Sequence, residues 1–418
     1  MEIIADLHIH SHYSRATSPN MEISSLARGA REKGLQALGT GDFTHPKWFD
    51  ELKKTLSEDD GVYSYDGVYF VPTAEISLIY SQKSELDKKN GRRVHIVILA
   101  PNFEVAGQIK DFLGKIGRLD YDGRPIFARS CIEIVDALMH ISKDIEIIPA
   151  HVWTPWFSLF GSMSGFNSLQ DCFKDTSKYI HSIETGMSSD PAMNRMLSQL
   201  DGLTLTSFSD AHSPYTWRIG REAIVIEMKN FSYKNIIDAI RARKNFLYTI
   251  ETNPAYGKYH EDGHRNCGVH MTPEESRKHK NICPVCKRPL TIGVMSRVEE
   301  LADRPFGYKP KDSIPFKSLL PLQEIIAAVL NSGLSTKKVY GMNEQFMKLG
   351  NELDILMNVE EKDLRNVDGK VADLIMKMRN GKLKIIPGYD GVYGKLISDD
   401  KDMKQKTFVK KEKSLLDF

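Results

Sequence analysis

Short apolar runs recur through the first 250 residues, and most of them end against a histidine or a carboxylate. The candidate strands are Ile3–Leu7, Ala37–Gly39, Val68–Val71, His95–Leu99, Ile145–Ile148, Tyr179–Ile183, Leu203–Thr206 and Ala223–Ile226. They are brief and mostly apolar, as strands buried on both faces of a parallel sheet are. Amphipathic stretches separate them. Glu22–Lys33 places Ile23, Leu26, Ala27 and Ala30 on one face, behind Asn20 as an N-cap. Phe103–Ile116, Cys131–Ile141, Ala192–Leu200 and Tyr233–Lys244 have similar spacing. This alternation points to an α/β fold, with residues 1–252 closed as a β/α barrel.

In such a barrel the C-terminal ends of the strands meet at one rim. The residues that would gather there are Asp6-Leu7-His8-Ile9-His10, Gly41-Asp42 with His45, Glu75, Ala150-His151 and Ser209-Asp210-Ala211-His212, with His95 opening a further strand. Side chains two apart in an extended segment share a face, so His8 and His10 can reach one centre, as can Asp210 and His212. Imidazoles with carboxylates suit zinc, manganese or iron. Glu75 could bridge two ions, and a pair of ions is a common clamp for phosphoester cleavage. A single histidine at a strand end is usually structural. This many ionisable groups buried together without a cation would be costly.

Composition bounds the partners. The 418 residues carry 57 Lys+Arg against 55 Asp+Glu, a net charge of +2, so no global basic field announces a nucleic-acid binder. All 13 histidines lie between His8 and His279, which confines imidazole chemistry to the first two thirds. No apolar run approaches the roughly 20 residues that span a bilayer, and Met1–His10 lacks the basic-then-apolar order of a signal peptide. Five cysteines are too few for a secreted disulfide scaffold. The chain reads as cytoplasmic, without a membrane partner.

Residues 253–310 form a second unit. Cys283-Pro284-Val285-Cys286 is a knuckle, Cys267 lies upstream, and His264 precedes Cys267 by three residues. H-x-x-C followed by C-x-x-C has the spacing of a structural four-ligand zinc site, with His264 as fourth ligand and His260 as the alternative. A thioredoxin-like redox pair is the rival reading, but no βαβ frame surrounds it. Lys258 to Arg288 holds seven basic and four acidic residues, a surface suited to phosphates. Cys131 and Cys172 sit among apolar residues as inert core thiols. Residues 311–396 read as a helical domain, with Leu322–Leu330, Met342–Met357 and Lys370–Met378 as its helices. Residues 397–418 read as a basic tail, and Lys401–Phe418 holds six lysines against three acids.

Aromatic residues crowd two of the presumed ligands. Trp153, Trp156, Phe157, Phe160 and Phe166 follow His151, and Tyr215, Trp217 and Arg218 follow His212. Such loops can stack on an exposed base, with Trp153, Trp156 and Arg218 as substrate contacts, or form a small satellite core. Asp190, before Pro191, is either a helix cap or an acid at the rim, and it joins Asp210 and His212 as a candidate catalytic residue.

The opening Asp6-Leu7-His8-Ile9-His10-Ser11 and closing Ser209-Asp210-Ala211-His212, with Glu75, His95 and His151 between, resemble the polymerase and histidinol phosphatase (PHP) family of metal-dependent phosphoesterases. The resemblance implies a distorted seven-stranded β/α barrel with up to three ions at its rim. One ion would lie on His8, His10, Glu75 and Asp210, and a second on Glu75, His95 and His151. At the third site the chain departs from the pattern, with Ser14-Arg15-Ala16 where an acid or histidine is usual and Gly41-Asp42-Phe43 in place of Thr-Asp-His. His212 is left with Asp42 or His45 as partners, Asp42 being preferred.

With the Cys/His unit, Arg297-Val298-Glu299-Glu300 and Pro387-Gly388-Tyr389-Asp390-Gly391, nearly the whole chain resembles a branch of PHP proteins that repair DNA. What this implies is a metal-dependent endonuclease. It would cut 5′ to hypoxanthine, uracil, xanthine and abasic sites in double- or single-stranded DNA, using Zn²⁺, with Mg²⁺ or Mn²⁺ as alternatives in catalysis. A phosphatase of small phosphoesters, an exonuclease on unmodified nucleic acid and a non-catalytic DNA-binding factor are the rivals. The ending Leu415-Leu416-Asp417-Phe418 resembles part of a sliding-clamp (PCNA) binding peptide.

Overall fold

The computed structural model describes residues 1–84 and 90–398. The clamp-like ending Leu415–Phe418 lies outside the described residues. The strands that build the site are β1 (Glu2–Asp6), β2 (Ala37–Gly39), β3 (Val68–Val71), β4 (Thr73–Ser81), β5 (Gly91–Leu99), β6 (Glu146–Pro149), β7 (Ser182–Glu184), β8 (Thr204–Thr206), β9 (Ala223–Glu227) and β10 (Phe246–Thr252).

β1, β2 and β3 pair in parallel, and β3 runs through Pro72 into β4. β5 lies antiparallel to both β4 and β6, while β7 and β8 are parallel. Single contacts span the gaps between these sheets: the Val152 amide donates to the Glu184 carbonyl at 3.1 Å, and Ile9 bridges Ala211. β9 and β10 extend antiparallel from the other edge of β1. His95 therefore sits in the middle of β5 rather than at its start.

Both faces of these strands are buried, which is why their sequences are continuous apolar runs. Ile3, Ala5, Leu7, Val71, Val97, Leu99, Ile148 and Ile224 share one core cluster. Their alternates Ile4, Phe70, Ile96, Ile98, Ile147, Ile183 and Val225 share another with the covering helices. Each such aliphatic side chain contributes roughly 1.5–3 kcal/mol on burial.

The helix Ile23–Lys33 buries Ile23, Leu26, Ala27 and Ala30 as its spacing predicts. Its N-cap is Glu22, with no side-chain hydrogen bond, so Asn20 is not the cap. Ala192–Leu200 is not one helix. It folds as Pro191–Asn194 and a single turn Ser198–Leu200. Asn194 Nδ2 bonds back to the Asp190 carbonyl, a local bond that competes with helix propagation.

Beyond residue 252 a hairpin (Asp262–His264 with Val269–Met271) precedes the helix Val294–Leu301. β11 (Phe316–Leu319) then returns to the main sheet, parallel to β10, with Phe316 opposite Thr249 and Leu319 opposite Thr252. Helices Leu322–Leu330, Lys337–Phe346, Glu352–Met357, Glu361–Val367 and Gly369–Arg379 follow. The apolar stretch Met342–Met357 is divided at Gly350, whose φ of +149° interrupts the helix. Phe346, Leu353, Leu374 and Ile375 belong to the same core as Leu26. Among the described residues no helix is long and apolar enough to cross a membrane.

Candidate metal centre

The loop after β1 carries His8 and His10, β4 carries Glu75, β5 carries His95, and the segments after β6 and β8 carry His151 and Asp210. Ligand atoms of His8, His10, Glu75 and Asp210 lie within 4.8 Å of one another, as do those of Glu75, His95 and His151. Glu75 belongs to both groups. Its Oε1 faces His95 Nδ1 at 2.7 Å and His151 Nε2 at 3.1 Å. Its Oε2 faces His10 Nε2 at 3.3 Å and His8 Nε2 at 3.5 Å.

The donor set fits divalent cations. His8 Nε2 is buried without a hydrogen-bond partner and points between Glu75 Oε2 and Asp210 Oδ1, the latter 3.7 Å away. Ligands at about 2.1 Å from one tetrahedral ion stand about 3.4 Å apart, which is this spacing. Charge agrees. Burial opposes ionisation of His8 and His10, but Glu184 and Glu75 beside His8, and Asp42 and Asp210 beside His10, hold both well above the usual range. Burial also opposes charge on Glu75, yet His95, Arg124 and His8 hold it well below the usual carboxylate range. The site is thus built around positive charge that metal ions can supply. Burial lowers His95 to about 4 against the pull of Glu75.

Residues around the ligands fix their orientation. Glu184 Oε2 accepts from His8 Nδ1 at 2.7 Å, and its Oε1 accepts the His151 amide at 3.1 Å. Arg124 Nη1 donates to Glu75 Oε2 at 3.0 Å. Buried Asp6 accepts from the Ser209 amide and hydroxyl and from the Gly220 amide, tying β1 to the loop that presents Asp210. Desolvation pushes Asp6 up to about 6, against those bonds. The backbones of His151 (φ +30°) and Asp210 (φ +49°) are left-handed, a strain that clusters at functional sites. Gly186 has to be glycine, since a Cβ there would lie 2.6 Å from that of His151.

Several residues expected at the centre serve otherwise. Asp42 turns to the far side of the His10 ring, 3.0 Å from Nδ1. Its other oxygen takes the Ser11 amide and the Ser11 and Ser14 hydroxyls, which leaves Asp42 orienting His10 rather than pairing with His212. His45 stacks on Tyr13 outside both ligand groups, and its Nδ1 is unpartnered. His212 lies 4.6 Å from the His10 ring, with Nδ1 on the Asp210 carbonyl. Asp190 caps the helix Pro191–Asn194 by accepting from the Met193 amide at 2.8 Å, so its carboxylate is spent on the backbone. Trp153 is buried and donates to Asn194, which places it in the loop core rather than on a substrate face. Trp156 is 38% exposed. Arg218 pairs with Glu324 at 3.4 Å.

In the Cys/His unit His264, Cys267, Cys283 and Cys286 converge within 4.8 Å, with His264 Nδ1 3.5 Å from Cys286 Sγ. His260 lies outside this group. Arg297, on the helix that follows, donates to the carbonyls of Phe160 and Phe166 and to Asn167, holding the aromatic loop behind His151.

Nearly the whole chain superposes on solved structures. A lesion-specific endonuclease from Pyrococcus furiosus, PfuEndoQ, matches with a TM-score of 0.85 and 33% identity, covering 97% of each chain. The chain belongs to the endonuclease Q family. A second endonuclease Q structure, a complex with a 27-mer duplex carrying an abasic lesion at the active site, matches with the same TM-score and identity, covering 97% of this chain and 98% of that one. The family model for the MJ0043 C-terminal domain matches residues 321–382. The uncharacterized protein MJ0043 of Methanocaldococcus jannaschii is 34% identical over 288 residues, 68% of this chain and 35% of that protein, so the chain spans about a third of that relative. The uncharacterized protein YqxK of Bacillus subtilis is 26% identical over 415 residues, 94% of this chain and 99% of that protein.

Proposed function

We propose that this protein is a metal-dependent DNA endonuclease that nicks 5′ to deaminated bases and abasic sites. One observation carries the reading: a single carboxylate, Glu75, faces two ligand groups at once, in a chain that matches lesion-acting endonucleases along its length. His8, His10, Glu75 and Asp210 would hold one ion, and Glu75, His95 and His151 the other. Ions held by these residues would activate water and offset negative charge at the attacked phosphate. The protein residues have the remaining work. Glu184 fixes the His8 tautomer so that Nε2 faces the centre. Arg124, 26% exposed beside Glu75, is placed to meet a phosphate oxygen. His212, half-buried next to Asp210, lies at the rim where a leaving oxygen could take a proton. The four-ligand Cys/His group suits structural zinc.

The test uses duplexes with one hypoxanthine, uracil, xanthine or abasic site, incubated with Mg²⁺, Mn²⁺ or Zn²⁺. A nick 5′ to the lesion, lost in His8→Ala and Asp210→Ala, is expected. Absence of lesion-dependent nicking under every metal would sink the assignment.

A further inference from the structure

Each ligand imidazole has a second ring nitrogen, and the partner of that nitrogen tunes how strongly the first can bind. In the group His8, His10, Glu75 and Asp210 the partner is a carboxylate. Glu184 Oε2 lies 2.7 Å from His8 Nδ1, and Asp42 Oδ1 lies 3.0 Å from His10 Nδ1. In the group Glu75, His95 and His151 the partner is a hydroxyl. Ser77 Oγ lies 2.7 Å from His95 Nε2, and Thr154 Oγ1 lies 3.1 Å from His151 Nδ1. Thr154 has one hydroxyl proton, and the Trp156 carbonyl at 2.9 Å is placed to take it, nearer than the His151 carbonyl at 3.3 Å. The oxygen then accepts from His151 Nδ1, which leaves Nε2 bare towards Glu75 Oε1 at 3.1 Å. Ser77 stands opposite His95 in the β4–β5 register and acts on it in the same way, leaving Nδ1 towards Glu75.

A carboxylate that accepts from an imidazole raises the basicity of the ligating nitrogen. A neutral hydroxyl does so less. The donor sets differ too, with four side chains and two carboxylates in the first group, and three side chains and one shared carboxylate in the second. We propose that the second group is the weaker, exchangeable ion site and that Ser77 and Thr154 are its positioning residues. Three donors leave the fourth position of a tetrahedral ion open to water or substrate, whereas four close it. The loop that carries Thr154 supports this weaker site twice, since its Phe157 carbonyl accepts the His95 amide at 3.1 Å.

The inference rests on the metal reading of the two groups. Its readout is binding rather than cleavage, so it fails separately from the endonuclease assignment. Protein with zinc in its Cys/His group is titrated with Mn²⁺, an ion that prefers carboxylates to thiolates. Uptake is followed by calorimetry and electron paramagnetic resonance. Two steps are expected, roughly tenfold or more apart in affinity. The first gives the signal of isolated Mn²⁺, and the second the coupled signal of a pair sharing Glu75. Thr154→Val keeps the shape and removes the hydroxyl. It weakens the second step roughly 10- to 100-fold and leaves the first unchanged, and Thr154→Ser restores the second. Ser77→Ala is the second variant, with the same expected weakening. Two steps of equal affinity in the wild type overturn the ranking. Thr154→Val and Ser77→Ala titrations that overlay the wild type, or that lose both steps alike, overturn the positioning role. Protein that takes up no Mn²⁺ overturns the metal reading itself.

Discussion

Glu75 divides its two oxygens between the ligand groups, so its neighbours must hold it at a fixed angle. Arg124 does this from one side. Glu184 does the equivalent for His8 and, through the His151 amide, for the second group. Replacing such an orienting carboxylate typically costs 10- to 100-fold in metal affinity or activity. Glu184→Ala is expected to weaken binding by about that factor in a metal titration followed by calorimetry. A titration that overlays the wild type would show that His8 needs no such support. Neither residue stood out in the sequence. The candidate strand Tyr179–Ile183 stops one residue short of Glu184, and Arg124 lies in a loop with no periodicity. The ligands themselves were legible because the period of two puts His8 and His10 on one face and strand ends collect the rest. Asp42 and Asp190 misled because a carboxylate near a strand end looks the same whether it binds metal, orients a histidine or caps a helix.

At the scale of elements, β10 carries an acid that gains nothing from water. Burial pushes Glu251 up to about 8, although the Thr249 and Thr185 hydroxyls bond to it and partly offset the shift. Neighbouring Glu222 is also raised, by burial and by Glu251. An acid whose folded pKa exceeds its unfolded value near 4.5 binds its proton more tightly in the native state. Stability is then highest below pH 4.5 as far as this group is concerned, and falls as pH rises towards 8. Denaturant midpoints between pH 5 and 8.5 should decline, and Glu251→Gln should flatten the decline and exceed the wild type at pH 8. The strand pattern foretold none of this: the candidate strands ended at Ile226, and Phe246–Thr252 was not among them.

The molecule as a whole is joined by contacts far apart in sequence. Lys33, on the first helix, donates to Glu352 Oε1 at 2.7 Å, and both side chains are almost wholly buried. Removing one partner of such a pair costs about 3–5 kcal/mol, because the other charge stays buried alone. Glu352→Ala should lose about that much in urea unfolding, and Lys33→Met with Glu352→Leu should recover most of it. The break in strand–helix rhythm at Asn253–Gly257 separated residues 1–252 from a helical domain in the sequence, and no local pattern in Phe316–Leu319 shows that it adds an edge strand to the sheet of the first.

The pairing of β10 with β11 makes the Cys/His segment a crossover, the connection between parallel strands that a helix usually provides. Were the group His264, Cys267, Cys283 and Cys286 left without an ion, this segment would lose the tie between its hairpin and its knuckle, and β11 would be slow to reach its place. The edge of β10 would then stay open, with unpaired backbone groups able to recruit the same strand from another molecule.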